Sequence, residues 1–149
     1  MRKYTFLAVF AGLIALAPQS RAAGADDALY KSLGGKKAIT AVVDDFVGRV
    51  AADNRINGFF KDTAADPKRL AKFKHNLADQ ICEAAGGPCK YKGKDMKSAH
   101  AGMGVGGGDF NALVEDLVAT LDKLGVKPAD KQALLGVLGP MKKDIVEKP

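Results

Sequence analysis

Glycine punctuates this chain between stretches whose apolar residues recur every three or four positions, and that rhythm specifies helices. Ile39, Val42, Val43, Phe46, Val47 and Val50 make one such stripe over residues 36–52. Leu70, Phe73, Leu77, Ile81 and Ala84 make a second. Its helix opens with Asp66 as N-cap and Pro67 in the first turn, runs to about residue 85, and stops at Gly86-Gly87-Pro88. A third stripe, Phe110, Leu113, Val114, Leu117, Val118, Leu121 and Leu124, is capped by Asp109 and stopped by Gly125. The fourth begins at Pro128 and carries Leu134, Leu135, Val137, Leu138, Met141, Ile145 and Val146 as one helix. Shorter helical pieces are expected at 26–33, 54–60 and 96–100. Residues 88–95 read as an irregular loop, and Gly102, Gly104, Gly106, Gly107 and Gly108 as a flexible corner. No period-2 run of convincing length competes, so an all-α domain is expected.

The first 22 residues read differently. Met1-Arg2-Lys3 is a positive head, residues 5–18 are an uncharged apolar run, and Ser20-Arg21-Ala22 sets small residues at a cleavage position. The pattern predicts an export signal, 1–22, ahead of a domain at 23–149, with a cut after Ala22 and Ala25 as the second choice. An uncleaved anchor is the alternative, but spanning takes ~20 apolar residues and this run is shorter. The expectation is a periplasmic or secreted protein without a stable membrane anchor. Removing Arg2, Lys3 and Arg21 leaves 20 basic residues against 17 acidic, a net charge of about +3. Acids and lysines are interspersed, so nucleic-acid binding is not expected, and Lys90, Lys92, Lys94 and Lys97 read as a solvated loop face.

Export bears on Cys82 and Cys89, which flank Gly86-Gly87-Pro88. In an oxidising compartment they could bridge a helix end to the following loop. Two free thiols fit equally well, because sequence does not supply the Cα separation a bridge needs. Hydrolytic machinery is poorly provided for: HExxH, GxSxG and the P-loop are absent, and beyond residue 22 the serines are Ser32 and Ser98. No CxxCH haem attachment occurs.

Two histidines remain. His100 ends a short helix before the glycine corner, where an imidazole can face a planar ligand held between helices. A lone histidine near a helix end is also an ordinary surface or capping residue. The ordered set of segments around it resembles the group I truncated haemoglobins. Leu29-Tyr30-Lys31-Ser32-Leu33-Gly34-Gly35 and Val42-Val43-Asp44-Asp45-Phe46 are similar to the family's opening and second helix, and Phe59-Phe60 to the aromatic pair after it. Gly86-Gly87-Pro88, Tyr91-x-Gly93 and Met96-Lys97-x-x-His100 resemble the segment leading to the proximal histidine, and Gly102-Met103-Gly104-Val105 and Phe110-x-Ala112-Leu113-Val114 continue it. The resemblance implies a two-over-two helical sandwich around one non-covalent haem b per chain. It implies His100 as the proximal iron ligand, Phe60 on the haem face, and Tyr91 reaching a propionate. Phe46, Met96, Val105, Phe110, Leu113 and Leu138 fall where the family lines its pocket or tunnel, and Phe73 and Leu77 at the distal positions. For most of these, ordinary core packing fits as well.

The chain departs from the family on the distal side. Where most members place a tyrosine that donates to bound oxygen, this chain has Val47, and the matching distal-helix positions are the apolar Phe73 and Leu77. A buried donor stabilises negative charge on bound oxygen. Without one, oxygen leaves faster, while carbon monoxide and nitric oxide are less affected. At 100° per residue, His75 lies roughly 160° from the centre of its helix's apolar face, Asn76 about 100° and Gln80 about 60°. His75 is therefore an unfavoured distal iron ligand, and Asn76 and Gln80 are better candidates for a polar distal group. Three functions follow from the resemblance. The first is binding of a diatomic gas. The second is turnover, as nitric oxide dioxygenase or weak peroxidase, and the third is electron transfer by a six-coordinate haem served by an electron donor.

Overall fold

The computed structural model describes residues 26–149; the expected export signal lies outside them. Among the described residues there are helices and no strand, with one isolated bridge between Gly106 and Lys148. The helices are α1 (Ala28–Ser32), α2 (Gly35–Ala52), α3 (Lys61–Ala65), α4 (Pro67–Ala84), α5 (Met96–His100), α6 (Gly107–Lys123), α7 (Pro128–Leu138) and α8 (Lys142–Ile145). Single 3-10 turns at Asn57–Phe60 and Gly139–Met141 lead into α3 and α8. None of these helices is long and apolar enough to cross a membrane.

Helix α2 is the hub. It packs most extensively on α4 and then on α6, while α7 touches α1 and α4. Ile39, Val42, Val43, Phe46 and Val50 of α2 are buried against Ala78, Ile81 and Cys82 of α4, Ala112, Leu117 and Leu121 of α6, and Leu134 of α7. The three-and-four spacing puts each set on one side of its helix, and joining these sides removes them from water. One polar tie fixes the α2–α6 crossing. Thr120, fully buried, donates from Oγ1 to Asp45 Oδ2 at 3.0 Å, and Asp45 also pairs with Arg49 and Lys123.

The caps explain the boundaries. The Asp66 carboxylate accepts from the Lys68 and Arg69 amides at 2.8 and 3.3 Å, and Pro67 follows in the first turn. At the other end of α4, Gly86 has φ +83°, and a Cβ there would fall 2.1 Å from the Asp26 carbonyl oxygen. That close approach lets the Tyr30 amide donate to the Ala85 carbonyl at 3.0 Å, locking α1 beneath α4.

The structure corrects three sequence expectations and adds one helix. Asp109 is not the N-cap of α6: the helix starts two residues earlier, and the Asp109 carboxylate reaches back to the Gly106 amide at 2.9 Å from the third helical position. The last helix is broken at Gly139–Met141, because Pro140 has no N–H to carry the ladder and crowds the preceding turn. Helix α3 forms on residues 61–65, to which the sequence pattern assigned no element. The glycine corner is held rather than free: Gly107 and Gly108 already belong to α6, and the chain's last residues hydrogen-bond to Gly102, Gly104, Val105 and Gly107.

Candidate haem-binding site

His100 is the last residue of α5, a one-turn helix whose start is fixed by Asp95 accepting from the Ser98 amide at 2.9 Å. Its Nδ1 lies 2.7 Å from the Met96 carbonyl oxygen one turn back. Since a carbonyl only accepts, Nδ1 carries the proton and donates, which leaves the Nε2 lone pair available. This is the state a metal-ligating imidazole needs, with its other nitrogen oriented by a backbone carbonyl. Among the described residues, no cluster of three or more His, Cys, Asp or Glu side chains could hold a metal ion. A porphyrin brings four nitrogen donors of its own, so one protein imidazole is enough to hold a haem iron.

Most of the apolar residues expected to line a pocket pack on the helical core. Phe60, after α2, and Phe73, on α4, pair with ring centroids 5.7 Å apart. Leu77, Leu113 and Leu138 are half-buried against the core, and Phe110 is half-buried under the Lys142 ammonium at 5.5 Å. Val105 is buried, and Phe46 belongs to the core proper. A cleft of about 270 Å³ opens between α4 and the loop into α5, lined by Gln80, Glu83, Ala84, Tyr91, Asp95, Met96 and Met141. An imidazole with Nε2 free and half-buried aromatic and apolar side chains are the donor and the surface that haem takes, so the chemistry of the residues present fits that group.

The structure gives places to Gln80, Met141, His75 and Tyr91, and the outward turn of His75 agrees with its spacing on α4. The Gln80 amide lies 3.2 Å from Met96 Sδ and 3.3 Å from Met141 Sδ, so of the three polar candidates on α4 it is the one that lines the cleft. Met141, on the apolar stripe of the last helix, lies in the 3-10 turn at Gly139–Met141 and meets Gln80 across the cleft. His75 faces away. Its side chain is 70% exposed, its Nε2 is 3.1 Å from Asp79 Oδ2, and it lines a second, polar hollow between α2 and α4 with Lys36 and Asp44. Tyr91, expected to reach a propionate, lines the cleft. Its hydroxyl donates to the Lys94 carbonyl at 2.7 Å, and so spends its one proton within the loop. Burial raises its pKa, so the phenol stays protonated.

The cleft's rim is held covalently. Cys82 on α4 and Cys89 form a disulfide with Cα atoms 5.8 Å apart. Gly87 has no room for a side chain, since a Cβ would sit 2.6 Å from Cys82 Sγ and 2.5 Å from the Tyr30 ring. Glu83 adds a second tie, accepting from the Tyr91 amide at 3.0 Å and from Lys90 at 3.2 Å, and these contacts lower its pKa. The end of α4 and the loop running to His100 are thus joined.

A few half-buried aromatics, one oriented imidazole and a helical core centred on α2 define a haem protein of the two-over-two globin class. A family model described as bacterial-like globin matches residues 28–147, and the chain belongs to that family, whose members bind haem and diatomic gases. A group 1 truncated hemoglobin of Tetrahymena pyriformis is 38% identical over 120 residues, covering 80% of this chain and 95% of that one. The Synechocystis group 1 truncated hemoglobin is 39% identical over 102 residues, 66% of this chain and 78% of that one. Among solved structures, the Tetrahymena pyriformis protein in its Fe(III) form superposes with a TM-score of 0.73 at 36% identity, covering 79% of this chain and 97% of that one. The 2/2 hemoglobin from Synechococcus, cyanomet and with covalently attached heme, gives 0.72 at 33% over the same shares.

Proposed function

We propose that this chain holds one non-covalent haem b through His100 and uses it to bind a diatomic gas in an apolar distal pocket. The observation that carries this reading is the His100 imidazole, fixed by Met96 through Nδ1 and free at Nε2. Held by His100, haem would supply an iron able to bind a diatomic gas. The chain's own residues do the rest: Phe60 and Phe73 stack the apolar wall, Met96 and Val105 close the proximal side, and the disulfide fixes the rim. Both cysteines are consumed by their own bond, which supports non-covalent retention over thioether attachment.

Val47, Phe73 and Leu77 offer no hydrogen-bond donor, and the Gln80 amide is engaged with two thioethers. Such a pocket favours less polar gases over oxygen and does not support an oxygenase, which needs long-lived bound oxygen. Electron transfer through a six-coordinate haem lacks an internal ligand while His75 stays with Asp79 on the far side of α4. Export of the chain, with residues 1–22 removed, completes the proposal; a charged head before an apolar run and a disulfide in a small domain both support an oxidising compartment.

The test is a His100→Ala variant beside the parent, loaded with haem and reduced without added gas. The parent is expected to show a five-coordinate ferrous spectrum, and the variant to lose that spectrum and release its cofactor. An unchanged Soret band and unchanged retention would sink the assignment.

A further inference from the structure

The end of the chain closes on the residues that follow His100. Glu147 accepts from two backbone amides at once, Gly102 to Oε1 at 2.6 Å and Gly104 to Oε2 at 2.5 Å. Both glycines have positive φ, +78° and +69°, which turns their N–H groups toward one carboxylate. Only glycine takes that backbone without strain. The same segment is tied from its main chain. The amides of Glu147 and Lys148 donate to the Val105 carbonyl at 2.8 and 3.2 Å, and the Lys148 carbonyl accepts from Gly107 at 3.2 Å. Upstream, α8 packs directly on α5, with Ile145 buried. His100 is therefore held from two sides, by Met96 within its own turn and by a loop pinned from the carboxyl-terminal segment.

We propose that Glu147 is a positioning residue for His100: its clasp on Gly102 and Gly104 sets how the imidazole is presented to haem iron. The proposal rests on His100 being the iron ligand. A charged acceptor on two amides makes stronger bonds than a neutral one. The clasp begins two residues beyond the ligand, so its loss lets the end of α5 turn and tilts or loosens the imidazole without removing any atom that touches the cofactor.

The experiment uses haem-loaded protein in four forms besides the parent: Glu147→Ala, Glu147→Gln, His100→Ala, and Ser32→Ala as a control that cuts only the remote Ser32–Asp130 hydrogen bond. Two quantities are read: the rate of haem transfer to an excess of apomyoglobin, and the iron–histidine stretching band of the ferrous, gas-free protein. Glu147→Ala is expected to lose haem roughly fivefold faster or more, given the strength of hydrogen bonds to charged groups, and to shift or broaden the band. Glu147→Gln, which keeps one acceptor oxygen, should fall between it and the parent, and Ser32→Ala should match the parent. The clasp is overturned alone if both Glu147 variants match the parent while His100→Ala loses the band. If His100→Ala keeps its haem and spectrum, the ligand assignment fails and takes the clasp with it. Should Glu147→Ala not fold, Glu147→Gln decides by the same readouts: a shift supports the proposal and parent values overturn it.

Discussion

At the scale of single residues, the chemistry turns on one proton and several missing ones. The Met96 carbonyl fixes the His100 proton on Nδ1, and this follows from a four-residue spacing within one helical turn. In the proposed apolar pocket, Val47, Phe73 and Leu77 have no proton to give. Introducing a donor should be felt directly: Phe73→Gln or Val47→Tyr should slow oxygen release by roughly tenfold, the lower end of what a hydrogen bond to a charged partner contributes. Stopped-flow dissociation rates check this, and unchanged rates in both variants would refute the apolar-pocket account. Asp116 is a second residue-scale case. Its Oδ2 is buried without a hydrogen-bond partner, and burial first, then the charge of Asp53, raises its pKa. A raised carboxyl stabilises the fold when protonated, and that stability drains away as pH rises through the raised value. Asp116→Asn should therefore raise the thermal midpoint at neutral pH, with the advantage shrinking as the pH approaches the ordinary aspartate value.

At the scale of elements, the disulfide and Gly87 couple α4 to the loop that leads into α5. Cys82 is fully buried and Cys89 half-buried, so the bond is part of the packing as well as a tether. Removing a bridge of this kind costs ~2–4 kcal/mol, toward the low end for so short a loop. Cys89→Ser, or the parent kept in reductant, should melt several degrees lower by circular dichroism, since 1 kcal/mol moves a domain of this size by about 4 °C or more. A midpoint unchanged on reduction would mean that Glu83 and Gly87 hold the rim without the bond.

At the scale of the whole molecule, the helices and their buried faces were largely legible, because Ile39, Val42, Val43, Phe46 and Val50 repeat with the period the helix imposes. His100 was legible as a candidate once the segments around it were read in order. Other parts were not, for physical reasons. Pro140 breaks α7 from α8 through a missing amide, a single-residue effect beneath a hydrophobic pattern that continues across it. Gln80 and Met141 meet only through tertiary packing, 61 residues apart. Glu147 meets Gly102 and Gly104 across 45 and 43 residues, and nothing in a run of charged residues near the end of a chain foretells a clasp. Pairing of Cys82 with Cys89 depended on a Cα separation that spacing could not give.

The disulfide has one more consequence, which concerns maturation. The chain contains two cysteines, so a single intramolecular pairing exists, between positions seven apart. Oxidation has no mismatched partner to explore, and the newly made polypeptide needs an electron acceptor but no reshuffling catalyst to reach its final covalent form.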